Sequence, residues 1–318
     1  MPRHPHFVPH GVIPAVILPF ADDLTIDEKG FRKHLQDVGA VKGLSAITIN
    51  AHSTEVASCT FDEQRRVLAI AQDEIGGKFP IVNGIWADGS LEAARIARMA
   101  EEGGASALLV FPPAPFTLGQ SPAMAVEHFR RIADASSLPL IVFQYPLATG
   151  QGYPRDTLLK MCDEIPTIRA IKDWAGNVVQ HETQIRELQS RKHPVNVLTT
   201  HSSWLFSSLV LGCNGLLSGS GSVIADLQSA LFQAVKADDL AEARRINDRI
   251  YPLARVFYSD PWVDMHNRMK EALVLLGRLP RAVVRPPLVK IAHAEIDRIR
   301  AALVEAGLLT QKAARDAA

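Results

Sequence analysis

Lys172 stands at the end of a mostly apolar run and opens the segment Lys172-Asp173-Trp174-Ala175-Gly176-Asn177. An amine held at the edge of an apolar strand is desolvated. That disfavours the ammonium form and brings its pKa towards ~7–8, the range an amine nucleophile needs. Such an amine attacks a ketone to form a Schiff base, which then serves as an electron sink. An exposed lysine at the start of a loop would leave the same trace, so position alone does not separate the two. The segment Asn50-Ala51-His52-Ser53-Thr54-Glu55 directly follows another apolar run. Hydroxyls and free backbone N–H groups in a tight turn suit a carboxylate better than a cation or an apolar ligand. Ser53 and Thr54 would equally serve as caps in an ordinary turn. Phe143 and Tyr145 are two positions apart and therefore share one face of a strand. If that face is interior, the Tyr145 hydroxyl sits one layer nearer the open end than the Phe143 ring; otherwise it is the wet tip of a core aromatic. His201, in Thr199-Thr200-His201-Ser202-Ser203, either lines the far end of a pocket or starts a helix. His4, His6 and His10 have no acidic or cysteine partner nearby, so no metal site is expected there.

The elements that would position these residues alternate. Strand-like runs fall at residues 12–18, 44–50, 80–85, 106–111, 138–145, 167–172, 195–200 and 215–218. Most are continuous apolar segments, as expected of parallel strands covered on both faces. Helix-length segments lie between them, most clearly at 27–41, 61–75, 91–102, 122–135 and 154–164. Thr60-Phe61-Asp62-Glu63 has the form of a capping box, and Ser90 and Ser121 are suited to N-caps. Gly76-Gly77 and Gly103-Gly104 provide helix stops. Repeating strand and helix eight times is the arithmetic of an α/β (β/α)8 TIM barrel. The competing open, doubly wound sheet expects a Gly-rich phosphate turn after its first strand. Here that position reads Pro19-Phe20-Ala21-Asp22-Asp23. Beyond residue 236 three further helices are expected, at 239–257, 262–277 and 290–307. The reading is a barrel over 1–236 with a C-terminal helical extension over 237–318 packed on it, a single domain overall. The small, polar residues 311–318 are expected to fray.

With 318 residues the chain suffices for one large α/β domain, and 47% apolar residues exclude wholesale disorder. Lys+Arg and Asp+Glu number 34 each, so the chain lacks the field of a nucleic-acid binder or a membrane-surface protein. The apolar runs are far short of the ~18–20 residues of a membrane span. The Pro/His-rich start, MPRHPHFVPH, lacks the apolar run of a signal peptide, so a cytoplasmic location is expected. Cys59, Cys162 and Cys213 are far apart and odd in number, which fits a reduced interior better than disulfides.

These residues, in this order, resemble the dihydrodipicolinate synthase / N-acetylneuraminate lyase family of class I aldolases and lyases. The likeness covers nearly the whole chain. It begins at Gly11-Val12-Ile13-Pro14-Ala15 with Pro19-Phe20, and continues through residues 51–55 and 87–90 and Gly104-Ala105. It then takes in Tyr145-Pro146 with Thr149-Gly150, Ile171-Lys172-Asp173 with Gly176-Asn177, Gly215, and Arg285-Pro286-Pro287-Leu288. The resemblance implies that Lys172 is the Schiff-base lysine. It places Ser53 on the second hydroxyl of the family's Gly-Thr-Thr-Gly-Glu loop, which grips the carboxylate of a 2-oxo acid such as pyruvate. Glu55 becomes that loop's structural glutamate, and Gly215 and Ser218 lie in the strand beneath the substrate.

The departures are as informative. His52 stands where the family often has the first hydroxyl, and Thr54 where it has glycine. Phe143 replaces the family's proton-relaying tyrosine, so that role passes to Tyr145, His52, a water or the substrate, or is lost. The loop Phe111-Pro112-Pro113-Ala114-Pro115-Phe116 lacks both tyrosines of dihydrodipicolinate synthases, and Ala148 replaces their carboxylate-binding arginine. True dihydrodipicolinate synthase activity is therefore not expected. Ala148 and Trp174 suggest a distal pocket for an aromatic or weakly charged aldehyde. The expected function is aldol cleavage or condensation of a pyruvate-type 2-oxo acid, with Lys172 and Tyr145 catalytic. His52, Ser53, Thr54, Phe143, Gly215 and Ser218 would contact substrate. A dehydratase or deaminase using the same imine, or a carboxylate-binding barrel without turnover, are the alternatives. No cofactor or metal is expected. The partners expected are a small 2-oxo acid, an aldehyde, and further copies of the chain in a homodimer or homotetramer.

Overall fold

The structure, a computed structural model, describes residues 2–310; the expected frayed end at 311–318 lies outside them. Eight parallel strands, β1 (Gly11–Pro14), β2 (Ile47–Ile49), β3 (Ile81–Ile85), β4 (Ala107–Val110), β5 (Leu140–Gln144), β6 (Ile168–Asp173), β7 (Asn196–Thr199) and β8 (Gly215–Ser218), pair in the order β1-β8-β7-β6-β5-β4-β3-β2. Single bridges from Val12 to Leu44 and from Ala15 to Thr48 bring β1 against β2 and close the barrel. The chain is thus a TIM barrel.

Helices α1 (Glu28–Gly39), α2 (Phe61–Glu74), α3 (Ser90–Glu102), α4 (Pro122–Ala135), α5 (Arg155–Glu164), α6 (Val178–Gln189), α7 (Leu205–Val210) and α8 (Gly221–Lys236) follow the strands in turn. The Thr60 capping box forms: Thr60 N donates to Glu63 Oε2 at 2.8 Å and Glu63 N donates to Thr60 Oγ1 at 3.2 Å. Ser121 caps α4 through Met124 N. Ser90 does not cap α3; Gly89 holds that position, and the Ser90 hydroxyl bonds the His128 ring instead. The first strand is shorter than its apolar run: Ala15 N still donates to Ser218 O at 2.9 Å and Val16 N to Thr48 O at 3.0 Å, but Ile17 N turns to the Ser222 hydroxyl at 2.9 Å, and the run leaves the sheet there, still buried.

Two apolar layers result. One, between strands and helices, contains Val12, Ile47, Ile81, Leu108, Val110, Leu140 and Val142. The other fills the barrel with the alternate residues of the same strands, among them Ile13, Val82, Leu109, Ile141, Phe143, Ala170, Leu198 and Leu217. The two-residue period of a strand therefore decides what faces the barrel axis. At the open end the inner layer continues into Phe111 and Tyr145.

Three more helices complete the described chain: α9 (Leu240–Phe257), α10 (Met265–Leu275) and α11 (His293–Glu305). The helix expected over 262–277 divides into a 3₁₀ turn at Trp262–Asp264 followed by α10. No described helix is long and apolar enough to cross a membrane.

Candidate active site

Ala170 and Lys172 are alternate residues of β6, so the lysine points up the barrel axis above the alanine. Lys172 pairs in register with Phe143 of β5, and its Nζ lies 4.0 Å from the centre of the Phe143 ring. The side chain is buried, with no carboxylate within ion-pair distance among the described residues. The neighbouring Asp173 is engaged elsewhere: its Oδ1 accepts from Ala175 N at 2.7 Å and its Oδ2 meets His181 Nδ1 at 2.6 Å. Burial alone takes the lysine pKa down to about 7, so near neutrality a substantial fraction of the amine is free base.

Lys172 opens into a cavity of about 260 Å³ at the C-terminal ends of the strands. This is the end of the barrel where loops gather and the catalytic groups of such folds sit. The cavity reaches Ser53, His52, Phe143, Trp174, His201, Trp204, Tyr258, Trp262 and His266. The Ser53 hydroxyl is buried without a hydrogen-bond partner, an unsatisfied donor on the cavity wall. Thr54 is different. Its Oγ1 accepts from Ala51 N at 2.7 Å and donates to Ala51 O at 2.8 Å, so it fixes the turn and has no donor free for a carboxylate.

His52 packs against Trp86, Phe111 and Phe143, and its Nε2 lies 3.0 Å from the Tyr145 hydroxyl. Burial, with a smaller contribution from the Lys172 charge, lowers the His52 pKa to about 3. Burial raises the Tyr145 phenol above its ordinary value. Both groups are thus neutral near pH 7, a paired phenol and imidazole beside the Phe143 ring.

His201 lines the cavity through its ring, stacked 3.9 Å from Trp204. Both of its nitrogens are engaged: Nε2 accepts from Gly176 N at 3.0 Å and Nδ1 faces Thr199 Oγ1 at 3.3 Å. Thr199 continues to Ser208, and Ser208 to His181, each at 2.6 Å, with Asp173 at the end of the chain. Asp173, His181 and His201 bring ligand-type atoms within 4.8 Å of one another. Those atoms already bond one another or the backbone, so the cluster fits a hydrogen-bonded brace behind Lys172 rather than an ion site.

Two expected contacts lie elsewhere. Gly215 opens β8 at the opposite end of the barrel, against Gly11; a Cβ there would stand 2.2 Å from Gly11 O. Close strand approach, not substrate, requires its glycine. Ser218 turns towards α8, with Ser220 Oγ at 2.9 Å and Gln228 Nε2 at 3.2 Å. Ala148 is exposed. Glu55 bonds the buried Lys270 of α10 and accepts from Arg285 N at 3.0 Å, a structural tie. The thiols of Cys59, Cys162 and Cys213 are all free, and burial pushes each up to about 12.

The sequence profile of the dihydrodipicolinate synthetase family matches residues 8–306. The chain belongs to this family. Membership makes it an enzyme of the family's aldolase and lyase class. It is 28% identical over 306 residues to the 4-hydroxy-tetrahydrodipicolinate synthase of Chloroherpeton thalassium, covering 95% of this chain and 97% of that one. The synthase of Methanopyrus kandleri is also 28% identical, over 95% of this chain and 97% of its own. The dihydrodipicolinate synthase structure from Thermotoga maritima superposes with TM-score 0.87 at 20% identity, covering 95% of this chain and all of that one. A prophage protein of the family from E. coli K12, solved in complex with pyruvate, gives TM-score 0.86 at 23% identity over 94% of this chain and 99% of its own.

Sequence reasoning had no place for Tyr258, Trp262, Met265 and His266, which reach the cavity from the helical extension. They lie beyond β8, away from the strand ends that carry the other site residues. The one available signal was the spacing of His266 and Lys270, four residues apart and thus on one face of a helix.

Proposed function

We propose that this enzyme cleaves or forms a carbon–carbon bond next to the carbonyl of a pyruvate-type 2-oxo acid through a Schiff base on Lys172. The observation that carries the reading is a buried amine without a counter-ion, at about pKa 7, sharing one cavity with the unpartnered Ser53 hydroxyl. The Ser53 loop receives the carboxylate and presents the ketone carbon to Nζ at the ~3 Å separation that proximity catalysis uses. Attack by the free amine gives a carbinolamine, whose hydroxyl departs as water once protonated. The Tyr145–His52 pair supplies a phenolic donor and a neutral imidazole for those transfers. The resulting imine withdraws electrons from the adjacent carbon, the property aldol chemistry requires. No metal or organic cofactor enters these steps.

The distal wall favours an aldehyde with an aromatic or uncharged side group. Trp174 and Trp262 lie 5.2 Å apart there, and His201 stacks on Trp204. The chain's relatives named as synthases and the pyruvate-bound family member support a 2-oxo acid as the common substrate half. Assembly as a homodimer or homotetramer, in the cytoplasm, belongs to the same reading. The test is borohydride reduction in the presence of pyruvate followed by peptide mass spectrometry. The expected result is a reduced adduct on Lys172 that is absent from Lys172→Ala. No adduct with pyruvate or with larger 2-oxo acids would overturn the Schiff-base reading.

A further inference from the structure

His266, on the first turn of α10, is buried and lines the same cavity as Lys172, yet neither of its ring nitrogens has a hydrogen-bond partner among the described residues. The other two cavity histidines are committed, His52 to Tyr145 and His201 to Gly176 and Thr199. The His266 ring lies over the chain just beyond β8: a Cβ on Gly219 would stand 2.7 Å from its Nε2, so a side chain there would crowd the ring. Its position is anchored from below. One helical turn on, Lys270 bonds Glu55 of the Ser53 loop and donates to Val283 O at 2.7 Å, tying α10 to the loop assigned to the carboxylate.

The layout of the cavity says what this histidine faces. In the imine that the preceding reading assigns to Lys172, the former ketone carbon is trigonal. One substituent is the Lys172 nitrogen on β6, and a second is the carboxylate at Ser53, after β2. The third is the neighbouring carbon, C3. Phe111, Phe143 and His52 fill the β4–β5 side with rings 4.7–5.8 Å apart. C3 is left to face the β8 side, where Gly219 and His266 stand and where the cavity continues to Tyr258 and Trp262.

We propose that His266 is the base that takes the C3 proton of the Lys172-bound imine and returns it. In that step the C3–H bond breaks and its electron pair forms the C2=C3 bond. The imine is in the protonated, iminium form left by loss of water, so its C=N π pair moves to the positive lysine nitrogen and cancels that charge, giving a neutral enamine, and the proton resides on the His266 ring. The enamine then attacks an aldehyde or is reprotonated. Burial, reinforced by the charges of Lys172 and Lys270, holds His266 well below the ordinary histidine range, so the ring is in its basic, uncharged form when the step begins.

Because this assignment rests on the Schiff-base reading, its test separates the two. Pyruvate is the probe, with borohydride trapping at Lys172 and exchange of its methyl protons in D2O followed by NMR. Wild-type protein should give both the adduct and exchange. His266→Ala and His266→Asn should still give the adduct, which also reports an intact fold, while exchange slows by about 10²–10⁴-fold, the usual contribution of a general base. Asparagine keeps a polar side chain without a basic nitrogen, so recovery of exchange in His266→Asn would show a packing role and overturn the proposal. Unchanged exchange in either variant, or an adduct without exchange in the wild type, would overturn it too. Absence of any adduct in the wild type would bring down the Schiff-base reading and this one with it.

Discussion

Two effects compete at the Lys172 amine. The Phe143 ring, 4.0 Å away, attracts the ammonium by a cation–π contact worth ~0.5–2 kcal/mol. Desolvation acts the other way and carries the pKa from 10.5 to about 7, a difference of several kcal/mol at ~1.4 kcal/mol per unit. Desolvation wins, and the rate of adduct formation should follow the neutral fraction. We expect the trapping rate with saturating borohydride to rise tenfold per pH unit below about pH 7 and level off above it. A rate that keeps climbing to pH 10 would show an ordinary, solvated lysine. The place of Lys172 at the end of an apolar strand was legible from the chain, but its burial was not, since an exposed lysine at the start of a loop leaves the same trace. Whether Ser53 or Thr54 offers its hydroxyl was not legible. That depends on which one the turn uses for its own backbone, and the turn uses Thr54.

At the scale of elements, the site joins two parts of the chain through one buried ion pair. Glu55 ends the Ser53 turn in a left-handed conformation (φ 51°), and its carboxylate binds Lys270 and Arg285 N. Both side chains are almost fully buried, and burial lowers the Lys270 pKa despite its partner. The pair therefore contributes little net energy while it is intact, but removing one member leaves a buried charge alone. Lys270→Met should lower stability to urea by about 3–5 kcal/mol. Adding Glu55→Gln should restore part of that loss, because it removes the stranded carboxylate. If Glu55→Gln changes stability by the same amount in the wild type and in Lys270→Met, the two residues are not coupled. The sequence carried the barrel strands clearly, because buried parallel strands are continuous apolar runs. The role of α10 was hidden, because nothing in its composition tells which face a helix lays over a barrel mouth. The same limit explains Gly215: its glycine signals close backbone approach without saying at which end of the strand.

For the molecule as a whole, the catalytic amine is a liability that the rest of the barrel offsets. Every unfolded chain exposes Lys172 with a pKa near 10.5, whereas the folded chain holds it at about 7. Between those values the unfolded state binds one more proton than the folded state at this position, so stability gains from rising pH. The penalty is fully present below about pH 7 and disappears above about 10.5. Lys172→Met fills nearly the same space without a charge to desolvate, and it should abolish adduct formation. It should also stabilise the protein at pH 7 by roughly 2–4 kcal/mol, an advantage that shrinks steadily towards pH 10. The comparison is made as the difference between variant and wild type in urea unfolding at each pH, so that the other titrating groups cancel. An advantage independent of pH would mean that better packing, not relief of a buried amine, is responsible. A loss of stability at pH 7 would mean that the amine is held charged in the folded barrel, by the Phe143 ring or by enclosed water, and that its reactivity does not come from burial.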